Sequence, residues 1–237
     1  MAKTRSSYDA PFTRDLVSFD CAVTFDWTKH FVDLLGTMPA SAVPVAQRLQ
    51  MIQHRVFVDR TGAQVSAIPQ ESDLSGIAHA AELEQALKTM IAQGLNAWTP
   101  FSTNVILPVE PTKYKFDKID VGYKLTMDGP GISAILLLDP DLRVTSGVSQ
   151  LPQPLRFATE FSAGTDGFLL SSVRTGSTTD GSTNTDATFA FTYQSVQNFQ
   201  LPQSVTVTPG SPEKWQYTLT DCKAMKGIYI QTGLPKR

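Results

Sequence analysis

The chain has little of what usually carries covalent chemistry. Its three histidines, His30, His54 and His79, lie far apart. They form no H-x-H or H-E-x-x-H pattern, so no histidine set is spaced to hold zinc. Each is expected on the surface or on a helix face. There is no G-x-S-x-G elbow, G-x-G-x-x-G loop, Walker A loop or C-x-x-C pair. The common hydrolase, nucleotide and thiol-redox signatures are therefore missing. The acidic stretch at 180–186 lacks the residue order and closing Glu of an EF-hand loop. Neither a metal nor a cofactor is expected. Charge of one sign is never gathered into a block: 20 basic residues stand against 22 acidic ones, with a formal charge of -2. Nucleic acid is excluded as an expected partner on that ground. The longest apolar run, ISAILLL at 132–138, falls far short of the roughly 20 residues of a membrane helix. No transmembrane segment is expected. The opening MAKTRSSY has some positive charge but no apolar stretch behind it, so no secretory signal is read, although a trimmed exported protein would look the same.

Cysteine is equally sparse, with Cys21 near the start and Cys222 near the end. They could form one disulfide across most of the chain, suiting an oxidising compartment, or remain two buried thiols; spacing leaves both open.

What the chain has is apolar residues, 41% of 237. That is enough for a substantial core in one domain spanning 1–237. Residues 9–19 read as a short helix or ordered lead-in, followed by alternation of Val23, Phe25 and Trp27 at strand period. Thr28 is placed to cap a short helix that Gly36 ends. Residues 39–48 give no clear reading, and residues 54–69 read as a hairpin turning at Arg60-Thr61-Gly62. One long helix is expected over 73–94. Leu74, Ile77, Ala78, Ala81, Leu87, Met90 and Ile91 recur at three and four, Ser72 or Asp73 begins it, and Gly94 ends it.

From about residue 104 the pattern is an antiparallel meander, with turns at 128–131, 139–141, 165–167 and 209–212. The polar insert at 176–186 reads as a mobile hairpin tip. At 191–209, FTYQSVQNFQLPQSVTVTP is two alternating runs joined by a break at QNFQLP. Spacing-two stripes recur throughout: Tyr123, Leu125 and Met127; Leu136 and Leu138; Phe157 and Phe161; Phe168 and Leu170; Phe189, Phe191 and Tyr193; Val205 and Val207; Trp215, Tyr217 and Leu219. Roughly ten strands with so little helix must curl or split to cover themselves. A curled sheet could keep an apolar hollow, which takes apolar ligands. The same stripes serve equally to pack a barrel solid.

Particular phrases of the C-terminal half carry a resemblance: VGYKLTM at 121–127, DPD followed by LRV at 139–144, DGFLL at 166–170, FTY at 191–193, FQLP at 199–202 and SVTV at 204–207. In these and in its order of strands the chain resembles the LolA/LolB-like family of lipoprotein carriers. The resemblance implies a mainly β, α+β fold, a strongly curved antiparallel half-barrel with a few covering helices. It also implies a hydrophobic cavity that accepts acyl chains without covalent chemistry, and an exported, periplasmic location. On that reading the ligand-binding wall is Phe25, Trp27, Leu136, Leu138, Phe168, Leu170, Phe189, Phe191, Tyr193, Val205 and Trp215, with the 73–94 helix as lid. The expected partner is an apolar small molecule, a lipid or a lipoprotein, bound by a monomer. Two alternatives stand beside this. One is an enzyme confining an apolar substrate, with Tyr193, Arg174 or Glu160 as polar handles. The other is a cell-envelope structural protein whose sheet edge pairs with a partner strand.

Overall fold

The computed structural model describes residues 2–68, 79–107, 113–129, 132–149, 155–179, 182–210 and 213–227. A short helix α1 (Ala2–Ser6) and a 3-10 turn at Pro11–Thr13 precede strand β1 (Leu16–Phe25). Helices α2 (Trp27–Leu35) and α3 (Val43–Gln50) follow, then the hairpin β2 (Gln53–Asp59) and β3 (Gly62–Ile68). After the long helix α4 (Ala80–Ser102) the regular elements of the described residues are all strands. The chain runs through β4 (Tyr114–Ile119), β5 (Gly122–Gly129), β6 (Ile132–Leu138), β7 (Val144–Ser149), β8 (Leu155–Ala163), β9 (Phe168–Thr179), β10 (Ser182–Val196), β11 (Phe199–Pro209) and β12 (Trp215–Lys226).

The twelve strands of the described residues form one sheet in the order β3-β2-β1-β12-β11-β10-β9-β8-β7-β6-β5-β4, and every pairing between them is antiparallel. The sheet is an open, curved half-barrel with a few helices. Its connectivity has a simple cause: β4 to β12 is an uninterrupted meander, and its last strand returns to β1. Sheets of this width must bend, since each strand is twisted relative to its neighbour and a flat face would stay wet.

Local chemistry corrects several sequence expectations. Trp27 is the first residue of α2 rather than part of a strand, because the Asp26 carboxylate accepts the Lys29 N–H at 2.8 Å and caps the helix there; Thr28 does not serve as the cap. Gly36 ends that helix as expected, in the left-handed region at φ 74. The break at 197–202 is much shorter than the sequence suggests. Gln197 and Asn198, both at positive φ, make the whole turn, and Phe199 already pairs with Val196. Pro202 lies inside β11, where a register shift in the ladder opposite Tyr193 removes the need for its missing N–H. At the polar insert the β9–β10 ladder continues to Ser182 opposite Thr179, so strand replaces most of the expected mobile tip.

The long helix is displaced relative to its expectation. Residues 69–78, where its start was placed, lie outside the described residues, and α4 runs on to Ser102. Gly94 does not end it. A Cβ there would lie 2.5 Å from the Tyr217 hydroxyl and 2.9 Å from a Val205 methyl. The glycine is the point where helix and sheet touch, not a cap. Leu87, Ile91, Leu95 and Trp98 form the buried stripe of α4, at the spacing of one helix face.

Two apolar clusters result. The larger lies under the helices and includes Phe19, Trp27, Leu87, Ile91, Phe189, Val205 and Tyr217. The second is built on β5, β6 and β7 from Leu125, Met127, Leu136, Leu138 and Val144, with Tyr8 and Leu107 added from elsewhere in the chain. No helix among the described residues is long and apolar enough to cross a membrane.

Candidate functional site

Register places the inner wall of the half-barrel residue by residue. Leu125 faces Leu136, Leu136 faces Gly147, and Gly147 faces Phe157. Paired residues project to the same side of a sheet, so these side chains form one row. The Phe157 ring covers the gap at Gly147, where a Cβ would meet it at 2.5 Å. A second row runs from Thr159 through Val173, Phe189 and Val207 to Trp215. A third joins Phe191, Val205 and Tyr217.

The two halves of this wall are covered differently. Beneath α4, contact is direct: the Tyr217 hydroxyl donates to the Ile91 carbonyl at 3.1 Å. The Trp98 indole N–H bonds the Tyr193 hydroxyl, which itself donates to the Leu170 carbonyl at 2.6 Å. Burial pushes the Tyr193 and Tyr217 hydroxyls well above the usual phenol pKa, so both stay neutral donors.

Over β5–β7 the cover among the described residues is short pieces of chain, and α4 reaches β8 through Phe101, whose ring lies 6.1 Å from Phe157 and 6.0 Å from Phe161. The segment after α1 crosses the sheet as a strap, with Tyr8 bridging Phe168 in parallel and the Asp9 N–H bonding the Phe168 carbonyl at 3.0 Å. Gly167, at φ 140, permits this: a Cβ there would lie 2.7 Å from the Ser7 carbonyl. The Tyr8 ring packs edge-on to Phe161 at 5.1 Å, and its hydroxyl accepts the Val144 N–H at 2.6 Å. Burial, the largest influence, raises the Tyr8 pKa to about 12. Asp9, with a fully buried side chain, pairs with Arg14 at 2.8 Å, and Arg14 reaches Asp166 at 2.8 Å. These charges pin the strap to the turn between β8 and β9.

The expected wall residues divide between these halves. Phe25, Trp27, Leu170, Phe189, Phe191, Val205 and Trp215 belong to the cluster under the helices, with Tyr193 packed against it. Leu136 and Leu138 are in the second cluster, and Phe168 packs against that one. Sequence periodicity missed Tyr8, Ile106 and Leu107, which cover the second half. These residues lie on short irregular segments, where no period exists to detect.

The polar features have other roles. Arg174 pairs with Ala158 and Glu160 with Ser172, on the exposed face opposite Phe157 and Val173. The handles of the enzyme alternative are thus not brought together with Tyr193. His30 and His54 are buried rather than on the surface. His30 packs its ring 4.2 Å from that of Trp215. His54 Nε2 lies 3.3 Å from Glu84 Oε1, which also holds the Lys88 ammonium at 3.1 Å. Desolvation, followed by the nearby Lys88 charge, lowers the His54 pKa to about 4. A neutral imidazole donating from Nε2 to a carboxylate that serves Lys88 fits this arrangement. Among the described residues no group of His, Cys, Asp or Glu is arranged to hold a metal ion.

Surface clefts mix polar and apolar lining. One of about 680 Å³ lies among Arg5, Arg60, Asn96, Thr99 and Thr103. Another of about 450 Å³ touches Phe25 and Trp27 but also Gln50, Gln53, Arg55 and Asp221.

The cysteines are bridged: Cys21 on β1 and Cys222 on β12 form a disulfide with Cα atoms 4.1 Å apart, at a register shift between the two strands. No free thiol remains among the described residues. No family model, curated protein or solved structure matches the chain.

Proposed function

We propose that this protein is a non-catalytic carrier or binding protein for an apolar molecule, a lipid or an acyl chain, related to the LolA/LolB-like carriers. One observation carries the reading. Among the described residues the apolar rows of β5–β7 are covered by a strap and a turn, while α4 reaches the neighbouring β8 through Phe101. These rows also continue outward without a polar break, from Leu136 and Leu125 to Phe116 on edge strand β4, which is 38% exposed. The helix-covered half serves as the rigid frame, and the strap-covered half admits the ligand when Tyr8 lifts. Affinity comes from area, at about 25 cal/mol per Å² of apolar surface removed from water, so a few methylenes suffice. The disulfide supports an oxidising, exported location.

The test is displacement of a fluorescent fatty acid, with native mass spectrometry for retained ligand. Binding is expected, with at least tenfold weakening in Phe157→Asp and faster uptake in Tyr8→Ser. If the wild-type chain neither retains an apolar molecule nor takes up the dye, the carrier reading fails. The interaction-protein alternative then gains weight, since β3 and β4 are the outer strands of the sheet.

A further inference from the structure

We infer that the β4–β5 hairpin is a lipid-docking lip that seats the protein on an anionic membrane surface. The inference rests on the carrier reading only for its purpose. Its physical basis is separate.

β4 is an outer strand of the sheet. An outer strand is normally blunted by charge and kept free of large exposed apolar side chains. This one keeps both. Tyr114 is 44% exposed and Phe116 38% exposed, and Val121 at the hairpin tip is 74% exposed. Tyr114 pairs with Met127 and Phe116 with Leu125, so both rings lie on the inner side of the sheet at its rim. The Phe116 ring stacks on Tyr123 at 5.0 Å. Four lysines, Lys113, Lys115, Lys118 and Lys124, stand here against three aspartates, Asp117, Asp120 and Asp128, a small local excess of positive charge in a chain whose formal charge is -2. Lys115 is engaged by Asp117 at 2.9 Å, with its side chain 76% exposed.

By the same register Lys118 shares the face of Tyr114 and Phe116 while Lys115 and Lys124 project from the other, so this sheet edge carries rings on one face and ammonium groups on both, a chemistry suited to a bilayer interface. The rings enter the headgroup layer, the lysine stems lie along it, and the ammonium groups meet anionic lipid. A single lip of this size gives weak, salt-sensitive, reversible attachment, since both screening and the small apolar area limit it. Reversibility suits a carrier that must leave again. The lip also fixes an orientation. Phe116 is the outer end of the row that runs through Leu125 to Leu136. Docking by this hairpin therefore sets the open end of the apolar wall against the lipid, and an acyl chain can pass along the row without crossing water.

The experiment uses the full chain with two vesicle preparations, one of phosphatidylcholine alone and one with about a third phosphatidylglycerol. Sedimentation reads bound protein, light scattering reads oligomeric state, and fatty-acid displacement reads cargo binding separately. Expected are preferential sedimentation with the anionic vesicles and a several-fold fall on raising salt from low to physiological levels. At least fivefold losses are expected in Tyr114→Ser combined with Phe116→Ser, and in Lys115→Glu combined with Lys118→Glu. The lysine variant gives up only an exposed ion pair, so its melting temperature should stay close to the parent's and its loss of sedimentation separates lost docking from lost folding, whereas the ring variant also gives up the Phe116–Tyr123 stack. No binding to anionic vesicles, or binding indifferent to both double variants, overturns the inference. So does a dimer abolished by Phe116→Ser, which assigns the rim to a second copy of the chain. Vesicle binding without fatty-acid displacement keeps the lip and removes the cargo. Displacement without vesicle binding does the reverse.

Discussion

Replacing Gly94 by alanine tests the central packing arrangement, because two effects of opposite sign compete. On an isolated helix Gly→Ala stabilises by about 1 kcal/mol, through reduced backbone freedom in the unfolded chain. Here the new methyl would sit 2.5 Å from the Tyr217 hydroxyl and 2.9 Å from Val205 Cγ1, both on fully buried side chains. Overpacking of a tight core costs about 1–3 kcal/mol. Moving the Tyr217 hydroxyl off the Ile91 carbonyl, 3.1 Å away, loses about 1 kcal/mol more and strands a buried donor. The net is a destabilisation of about 1–3 kcal/mol, which for a chain of this size lowers Tm by roughly 2–10 °C. Thermal unfolding followed by circular dichroism reads it. Gly94→Ala more stable than the parent would refute the reasoning, since the helix would then not touch the sheet at this residue. Tyr217→Phe in the Gly94→Ala background sharpens the test. It frees the space occupied by the hydroxyl, so it should recover part of the loss, whereas in the parent it should only cost stability.

Other consequences are as direct. Reduction, or Cys21→Ser with Cys222→Ser, removes a cross-link closing a separation of 201 residues. The chain-entropy model gives about 5 kcal/mol for such a loop, so a fall in Tm of about 10 °C or more is expected, and thiol titration of the unfolded, unreduced protein should find none. A single group sets part of the acid sensitivity. His54 titrates near 6.5 when unfolded and at about 4 when folded, because burial favours the neutral ring. Between those values the unfolded state binds the extra proton, so stability is full above 6.5 and falls as the pH drops toward 4. His54→Gln should flatten the urea-midpoint profile in that window, and an unchanged slope would show that His54 is not the group responsible.

Much of the architecture was legible because its signals are local. The 54–69 hairpin needed only two alternating runs and a turn, and β2 and β3 pair from Gln53 opposite Ile68 to Asp59 opposite Gly62. The stripes of β5, β6, β10 and β11 could be read for the same reason, since burying one face of a strand writes period two into the sequence. The errors fall where one residue type has two physical uses. Gly94 was read as a helix terminator, a role that depends on backbone freedom, whereas it is kept for the absence of a side chain against Tyr217. The QNFQLP break is narrower than its composition suggests, because Pro202 sits in β11 beside a register shift rather than in the turn. Trp27 kept the parity of Val23 and Phe25 but belongs to α2, since the Asp26 cap ends the strand first.

The candidate site was legible in kind and not in arrangement. Periodicity identifies a residue as facing inward but does not say what lies opposite. Phe189 and Leu136 have the same sequence signature and different covers: the first lies in the cluster under α4, the second in the cluster that Tyr8 and Leu107 complete. That difference decides how a ligand could enter. Lifting α4 would break the Tyr217–Ile91 bond and expose Leu87, Ile91, Leu95 and Trp98 together, each at most 3% exposed. At about 1.5–3 kcal/mol for each such side chain, this approaches the stability of a whole domain. Lifting the strap exposes one large ring, Tyr8, brings the buried Asp9 carboxylate into water, and breaks the two backbone bonds to Phe168 and the bond from the Val144 N–H to the Tyr8 hydroxyl, a smaller apolar loss than that under α4. The cheaper opening lies over β5–β7, on the side that ends at Phe116, so the energetics of opening and the exposed rim point to the same end of the sheet.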